Sequence, residues 1–234
     1  MRWGLQFAAV HAIVTRMSKH LFSYVFFTLA TLLMAAGSAS AHPHVWVTMK
    51  SELVYAPDGS ATGVRHHWTF DDLFSVYATQ GLDAKTKGEF TRDELAPLAQ
   101  VNVESLKDFD YFTFAKANGG KTEFRDPIDY YLGFNAKDTA LTLHFTLPFK
   151  APVKATDLDV EIYDPSYFVD FSFVEKDAAA LVGAPAACKL TVRRPAEMDG
   201  AMASRLGQLP ADTQLDPSQY LSSQFANKLS VKCP

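Results

Sequence analysis

Nine residues limit what this chain can fold into: Ala39-Ser40-Ala41-His42-Pro43-His44-Val45-Trp46-Val47. Ahead of them, Leu21 to Ala36 is almost wholly apolar, and Lys19 stands just before that run. A basic start, an apolar stretch and an Ala-x-Ala site form the secretory pattern. The apolar run is short for a membrane span of about 20 residues, and a cleavage site follows it. Cleavage is therefore expected over a retained anchor. Residues 1–41 are read as a signal peptide, with Met17 offering a second, more compact start. The product is expected to be periplasmic and to begin His42-Pro43-His44, directly ahead of an apolar strand.

Removing 1–41 leaves 193 residues, with 19 basic side chains against 26 acidic. A mildly acidic domain is a poor partner for nucleic acid or an anionic membrane surface. The length suits a single domain over 42–234, and the 48% hydrophobic content of the chain can fill its core. There are two cysteines, Cys188 and Cys233. In an oxidising compartment they read as one disulfide tying the chain end to the strand at Cys188 to Arg193. Two free buried thiols are the alternative.

The fold class expected is α+β: a β-rich, sandwich-like core, a helix–loop–helix insertion at about 71–106, and a short helical C-terminal region. His44 to Tyr55 alternates as a strand, Pro57-Asp58-Gly59 is a turn, and Thr62 to Phe70 returns as the second arm of a hairpin. Asp71 and Asp72 open a helical stretch to about Gly81, where acidic residues suit the helix dipole. Thr91 and Glu94 form a capping box for a helix to about Ser105. Further strands are expected at Tyr111 to Lys116, Thr122 to Phe124, Ala140 to Phe149, Leu158 to Tyr163 and Tyr167 to Val174. Ala140 to Phe149 has the clearest period of two. Pro195 to Leu209 has helical composition, and Ser218 to Leu229 reads as a short amphipathic helix.

Asp83 to Glu94 has the twelve-residue frame of an EF-hand loop, with Gly88 at position 6 and Glu94 at position 12. Calcium needs oxygen ligands at positions 3 and 5, which here hold Lys85 and Lys87. Two ammonium groups facing a divalent cation are repulsive, so calcium binding is not expected.

Five histidines follow the cut: His42, His44, His66, His67 and His144. His66 and His67 are adjacent and face opposite sides of a strand, so at most one is a ligand. His144 lies on the non-core face of its strand and reads as a surface residue. His42 and His44 share a side. A freed α-amine on His42 adds a third nitrogen, a donor set that suits copper, nickel, cobalt or zinc rather than calcium. Pro43 has no amide proton, which blocks the amide-bound square-planar mode. The alternative is a pair of histidines hanging in solvent at a terminus.

Four segments together resemble a known group: His42-Pro43-His44-Val45-Trp46-Val47, Trp68 to Ser75, Gly88 to Leu95, and Tyr163-Asp164-Pro165-Ser166-Tyr167. The chain is similar to a bacterial family of unknown-function domains described as the periplasmic component of an uncharacterised ABC-type transport system. Its members are often encoded beside nickel/cobalt-type permeases, so the resemblance implies metal handling with an inner-membrane permease as partner. Lys85 and Lys87 depart from that family's usual acidic loop. The matching positions imply a metal site in which His42 and His44 supply nitrogen and Asp71 and Asp164 supply carboxylate. Asp residues before helices and turns serve equally as caps.

The function expected is a periplasmic transition-metal-binding or accessory component of a metal transport system. The alternative is a metal-free β-sandwich interaction module. A third class is a copper enzyme that uses the terminal histidine in oxidation. An enzyme is not the reading expected, and hydrolytic chemistry is disfavoured because no Ser/His/Asp or Cys/His nucleophile arrangement stands out.

Overall fold

In the computed structural model, residues 44–195, 201 and 226–234 are described. The expected signal peptide, His42 and most of the expected C-terminal helical region lie outside these residues.

Strand β1 (Val45–Tyr55) sends Val45, Val47, Met49, Ser51 and Leu53 inward and Trp46, Thr48 and Lys50 outward, as its alternation predicts. A turn with Gly59 at φ +81° follows. There Asp58 Oδ1 accepts from the Ser60 amide and hydroxyl at 2.9 and 2.6 Å. Strand β2 (Ala61–Phe70) returns antiparallel to β1. Two helices come next, α1 (Asp72–Thr79) and α2 (Arg92–Leu106). A 3-10 turn, Lys107–Phe112, leads into β3 (Thr113–Ala117) and β4 (Gly120–Thr122). The remaining strands are β5 (Ile128–Asn135), β6 (Ala140–Val153), β7 (Asp157–Ile162), β8 (Val169–Phe173), β9 (Ala179–Val182), β10 (Lys189–Arg193) and β11 (Asn227–Lys232).

The strands form two sheets. One runs β5-β6-β2-β1-β8, with β9 also pairing with β1; the other runs β10-β11-β7-β3-β4. Strand β1 is antiparallel to β2 but parallel to β8 and β9. The core lies between the sheets. Leu53, Val64 and Leu143 from the first sheet and Val160, Ile162 and Leu229 from the second are all fully buried. The structure is thus β-rich and mixed α+β, with a sandwich-like core and two helices among the described residues.

Two buried polar ties join the sheets. His66 of β2 reaches Thr113 of β3, and Asn227 Nδ2 of β11 donates to the Phe171 carbonyl of β8 at 2.6 Å. Within the second sheet, Cys188 and Cys233 form a disulfide across the β10–β11 end.

Three expectations need correction. The helix read over Ser218 to Leu229 fails at its end, because Asn227, Lys228 and Leu229 belong to β11. Their alternation, with Asn227, Leu229 and Val231 buried, is strand periodicity. The strand read from Tyr111 begins two residues later, because Asp110, Tyr111 and Phe112 all have positive φ. His144 is half-buried against His67 rather than a simple surface residue.

Candidate functional site

Of the sequence-predicted metal ligands, His44, Asp71 and Asp164 lie around the first residues of β1, and His42 lies outside the described residues. The His44 amide donates to the Phe168 carbonyl at 2.8 Å, and the His44 ring lies 4.7 Å from the Phe168 ring. Asp71 sits between β2 and α1. Its Oδ1 accepts from the Phe74 amide at 2.8 Å, capping α1, and its Oδ2 accepts from the Trp46 amide at 2.9 Å. Asp164 precedes β8 and is 7% exposed. Its Oδ1 accepts from the Ser166 amide and hydroxyl, and its Oδ2 from the Val169 amide at 2.9 Å. Both carboxylates therefore fasten the chain on either side of β1, one as a helix cap and one as an Asx turn. Among the described residues, no three His, Cys, Asp or Glu side chains come together as a metal-holding group.

A cavity of ~360 Å³ opens beside this strand end. Its deep wall is buried and apolar: Val47, Trp68, Phe112 and Phe171. Phe109 and Phe168 are half-exposed and mark its mouth. The 3-10 turn positions Phe109 and Phe112 by carrying Asp110, Tyr111 and Phe112 through the left-handed region at φ +50°, +54° and +48°. Such backbone is costly for residues with a Cβ and persists where surrounding structure enforces it.

Two histidine arrangements were not foreseen as pairs. The first is buried. Ser51 Oγ lies 2.9 Å from His66 Nδ1, and Thr113 Oγ1 lies 3.3 Å from His66 Nε2. The Thr113 hydroxyl donates to the Tyr111 carbonyl, so it accepts from the ring. That fixes His66 as the Nε2–H tautomer, with Ser51 donating to Nδ1. Burial, and secondarily the charge of His67, lowers the His66 pKa to about 3. Ser51 and His66 have the spacing of a nucleophile and base, but both are fully buried. An external substrate has no path to them.

The second arrangement lies on the outer face of the same sheet. His67 Nδ1 and His144 Nδ1 are 2.6 Å apart. Tyr131 stacks on His144 at 4.4 Å and 11°, and the Arg92 guanidinium sits 3.5 Å above the Tyr131 ring. Partial burial lowers both histidines, with His67 and then Arg92 adding to the effect on His144, which falls to about 4. The signal for this pair is the strand register, which sets His67 directly opposite His144 and His144 opposite Tyr131.

In the EF-hand-like loop, Glu94 turns its carboxylate back into the chain. Its Oε2 accepts from the Thr91 amide and hydroxyl, and its Oε1 from the Lys85 amide. These bonds, the Thr91 and Lys85 amides foremost, lower its pKa to about 2.

None of the helices among the described residues is long and apolar enough to cross a membrane. An uncharacterized protein of Haemophilus influenzae is 27% identical over 198 residues, covering 82% of this chain and 91% of that protein. The sequence profile described as "Protein of unknown function (DUF1007)" matches residues 27–233, and the chain belongs to that family.

Proposed function

We propose that this protein is an exported, periplasmic, non-enzymatic binding protein that holds a divalent transition metal at its amino terminus for an inner-membrane permease. The observation that carries the reading is the anchoring of His44. Its amide is pinned to Phe168 and its ring rests beside the Phe168 ring, at the first residues of β1. His44 is thereby held in place, and a freed His42 amine, the His42 ring and the His44 ring together supply nitrogen donors for nickel, cobalt, zinc or copper. Asp71 and Asp164 serve this site by holding the strand end, and their remaining lone pairs are the further oxygen candidates. The Cys188–Cys233 disulfide supports an oxidising compartment.

The test is calorimetric titration of the four metals on chain beginning at His42, on a form extended by one residue, and on His44→Ala. Extension and His44→Ala should each weaken binding at least tenfold, and binding should fall on acidification because the donors must be deprotonated. Equal binding by processed and extended forms would remove the terminal site.

A second reading, a metal-free interaction module, is favoured by α1. Leu73, Val76 and Tyr77 lie at helical spacing and are 74%, 55% and 75% exposed. Such a stripe is suited to a protein partner. Absence of metal binding in the titration above would leave this as the better account.

A further inference from the structure

We propose that a second cavity, lined by the β3–β4 hairpin and the adjoining ends of β6 and β7, binds a small aromatic monocarboxylate. Lys116 and Lys121 hold the carboxylate, and Phe114 and Tyr163 receive the ring. This goes beyond the metal reading and does not depend on it.

The first observation is an unmatched pair of charges. Lys116 of β3 and Lys121 of β4 are register partners, so their side chains leave the hairpin side by side on one face. Both are exposed, and both line a cavity of ~490 Å³. Like charges directly opposite one another destabilise a strand pair. Lysines close to them in the fold are matched: Lys150 to Glu123 at 2.6 Å, and Lys228 to Asp159 at 3.2 Å. Among the described residues, Lys116 and Lys121 enter no ion pair. Asp159, the register partner of Lys116 on β7, is taken by Ser230 and Lys228. A carboxylate brought by a ligand relieves a repulsion that the chain itself leaves uncompensated.

The second observation is the floor beside that pair. Phe114 stands two residues before Lys116 and so shares its face of β3. Its ring lies 4.8 Å from the ring of Tyr163, and both line the cavity. Phe124, stacked on Phe149 at 5.0 Å, lines it as well. Aromatic faces next to a cation pair suit a planar ring that carries a carboxylate. The volume falls within the range for small-molecule sites, about 300–1,000 Å³. Acidic residues set the charge that the ligand can bring. Glu123 is tied to Lys150, and Glu161 to Lys228 at 3.6 Å. Asp110 lines the cavity ahead of β3, at the end away from Lys116. A second anionic group at that end would meet a like charge. The cavity thus takes one negative charge at the lysine end and an uncharged ring beyond it.

The experiment titrates the full, processed chain with 2-naphthoate, with its neutral methyl ester and with 2,6-naphthalenedicarboxylate, followed by naphthyl fluorescence. The proteins are the unaltered chain, Lys116→Gln, Lys121→Gln and Lys137→Gln. Lys137 is an exposed lysine between β5 and β6 and reports diffuse surface charge. 2-Naphthoate should bind about tenfold more tightly than either comparison probe, the scale of one charge-assisted contact. Lys116→Gln and Lys121→Gln should each remove most of that advantage and leave the ester's affinity unchanged. Each should also raise the urea midpoint of the ligand-free protein, because each ends the like-charge contact. Lys137→Gln should leave the advantage intact. The proposal is overturned if the ester or the dicarboxylate binds as tightly as naphthoate, if either paired-lysine variant keeps the advantage, if Lys137→Gln removes as much, or if no probe binds. A lowered midpoint or failure to fold in both paired-lysine variants overturns it too, since the pair would then be serving the fold.

Discussion

His66 and His67 are neighbours on one strand, and their surroundings are opposite. His66 is sealed between the sheets, donating to Thr113 and accepting from Ser51. His67 lies on the outer face, half-buried against His144. Strand alternation makes the separation obligatory: consecutive side chains leave on opposite faces. The lesson concerns what burial does to a titratable ring. Inside, the polar ring becomes a fixed neutral connector between two sheets. Outside, the His67 ring keeps contact with solvent and meets His144 edge-on, and His144 in turn stacks on Tyr131 beneath Arg92.

The largest effect should come from breaking the inner arrangement. His66→Ala removes a fully buried ring and leaves the Ser51 and Thr113 hydroxyls facing an empty space. Loss of buried volume and of hydrogen-bond partners should together cost about 3–5 kcal/mol. His67→Ala, at a half-exposed position, should cost under about 1 kcal/mol. Urea unfolding of the two variants measures the difference, and equal losses would erase the distinction between the two faces.

Acid sharpens the comparison. Burial lowers the folded-state pKa of His66, His67 and His144 from 6.5. Below about pH 6.5 the unfolded chain therefore binds protons that the folded chain refuses. The histidine contribution to stability is fully present above that pH and is lost as pH falls. The loss should continue to about pH 4 for His144 and to about pH 3 for His66. For the sealed His66 ring the slope is on the order of 1 kcal/mol per pH unit. His66→Gln should flatten the decline more than His67→Gln, read from urea midpoints between pH 7 and pH 4. A reversed order would place the shielded ring on the wrong face. Ring NMR offers a second check: His66 should remain the neutral Nε2–H tautomer throughout this range.

Much of this architecture was legible in the sequence because it is local. The alternation of Val45 to Leu53 and of Leu141 to Leu147, the turn at Asp58, the Thr91–Glu94 capping box and the opposite facing of His66 and His67 all follow from neighbours in the chain. The cysteine count, read with the export pattern, gave the disulfide. What escaped depends on lateral pairing. Strand β5 has a single fully buried residue, Leu132, because α2 and solvent share its surroundings, so no clean period of two marks it. Strand β9 is four residues, too short for a pattern. The parallel pairing of β1 with β8 joins segments over a hundred residues apart. At the candidate site, Asp71 and Asp164 were legible as cap or ligand, and the structure uses every one of their oxygens to hold chain around β1. The cavity beside β1 arises from elements scattered between Val45 and Phe171, and no single stretch of sequence carries it.

The smallest effect expected is the most specific to the outer face. With the two Nδ1 atoms 2.6 Å apart, one ring must present a hydrogen there and the other a lone pair. His67 and His144 must therefore hold opposite states at Nδ1, and each depends on the other's choice. A neutral hydrogen bond in a half-exposed setting contributes about 0.5–1 kcal/mol. A double-mutant cycle of His67→Ala and His144→Ala at pH 7 should return a coupling of that size. Acid should then weaken it. Once His67 carries a proton, a second proton on His144, near pH 4, places two like charges side by side, and the coupling should vanish or reverse sign. The same cycle on His66 and His67 should return no coupling of this kind, because their rings lie on opposite faces of the sheet. Additive losses for His67 and His144 at pH 7 would mean that the rings meet without a shared hydrogen, and exposure alone would then separate the outer histidines from the inner one.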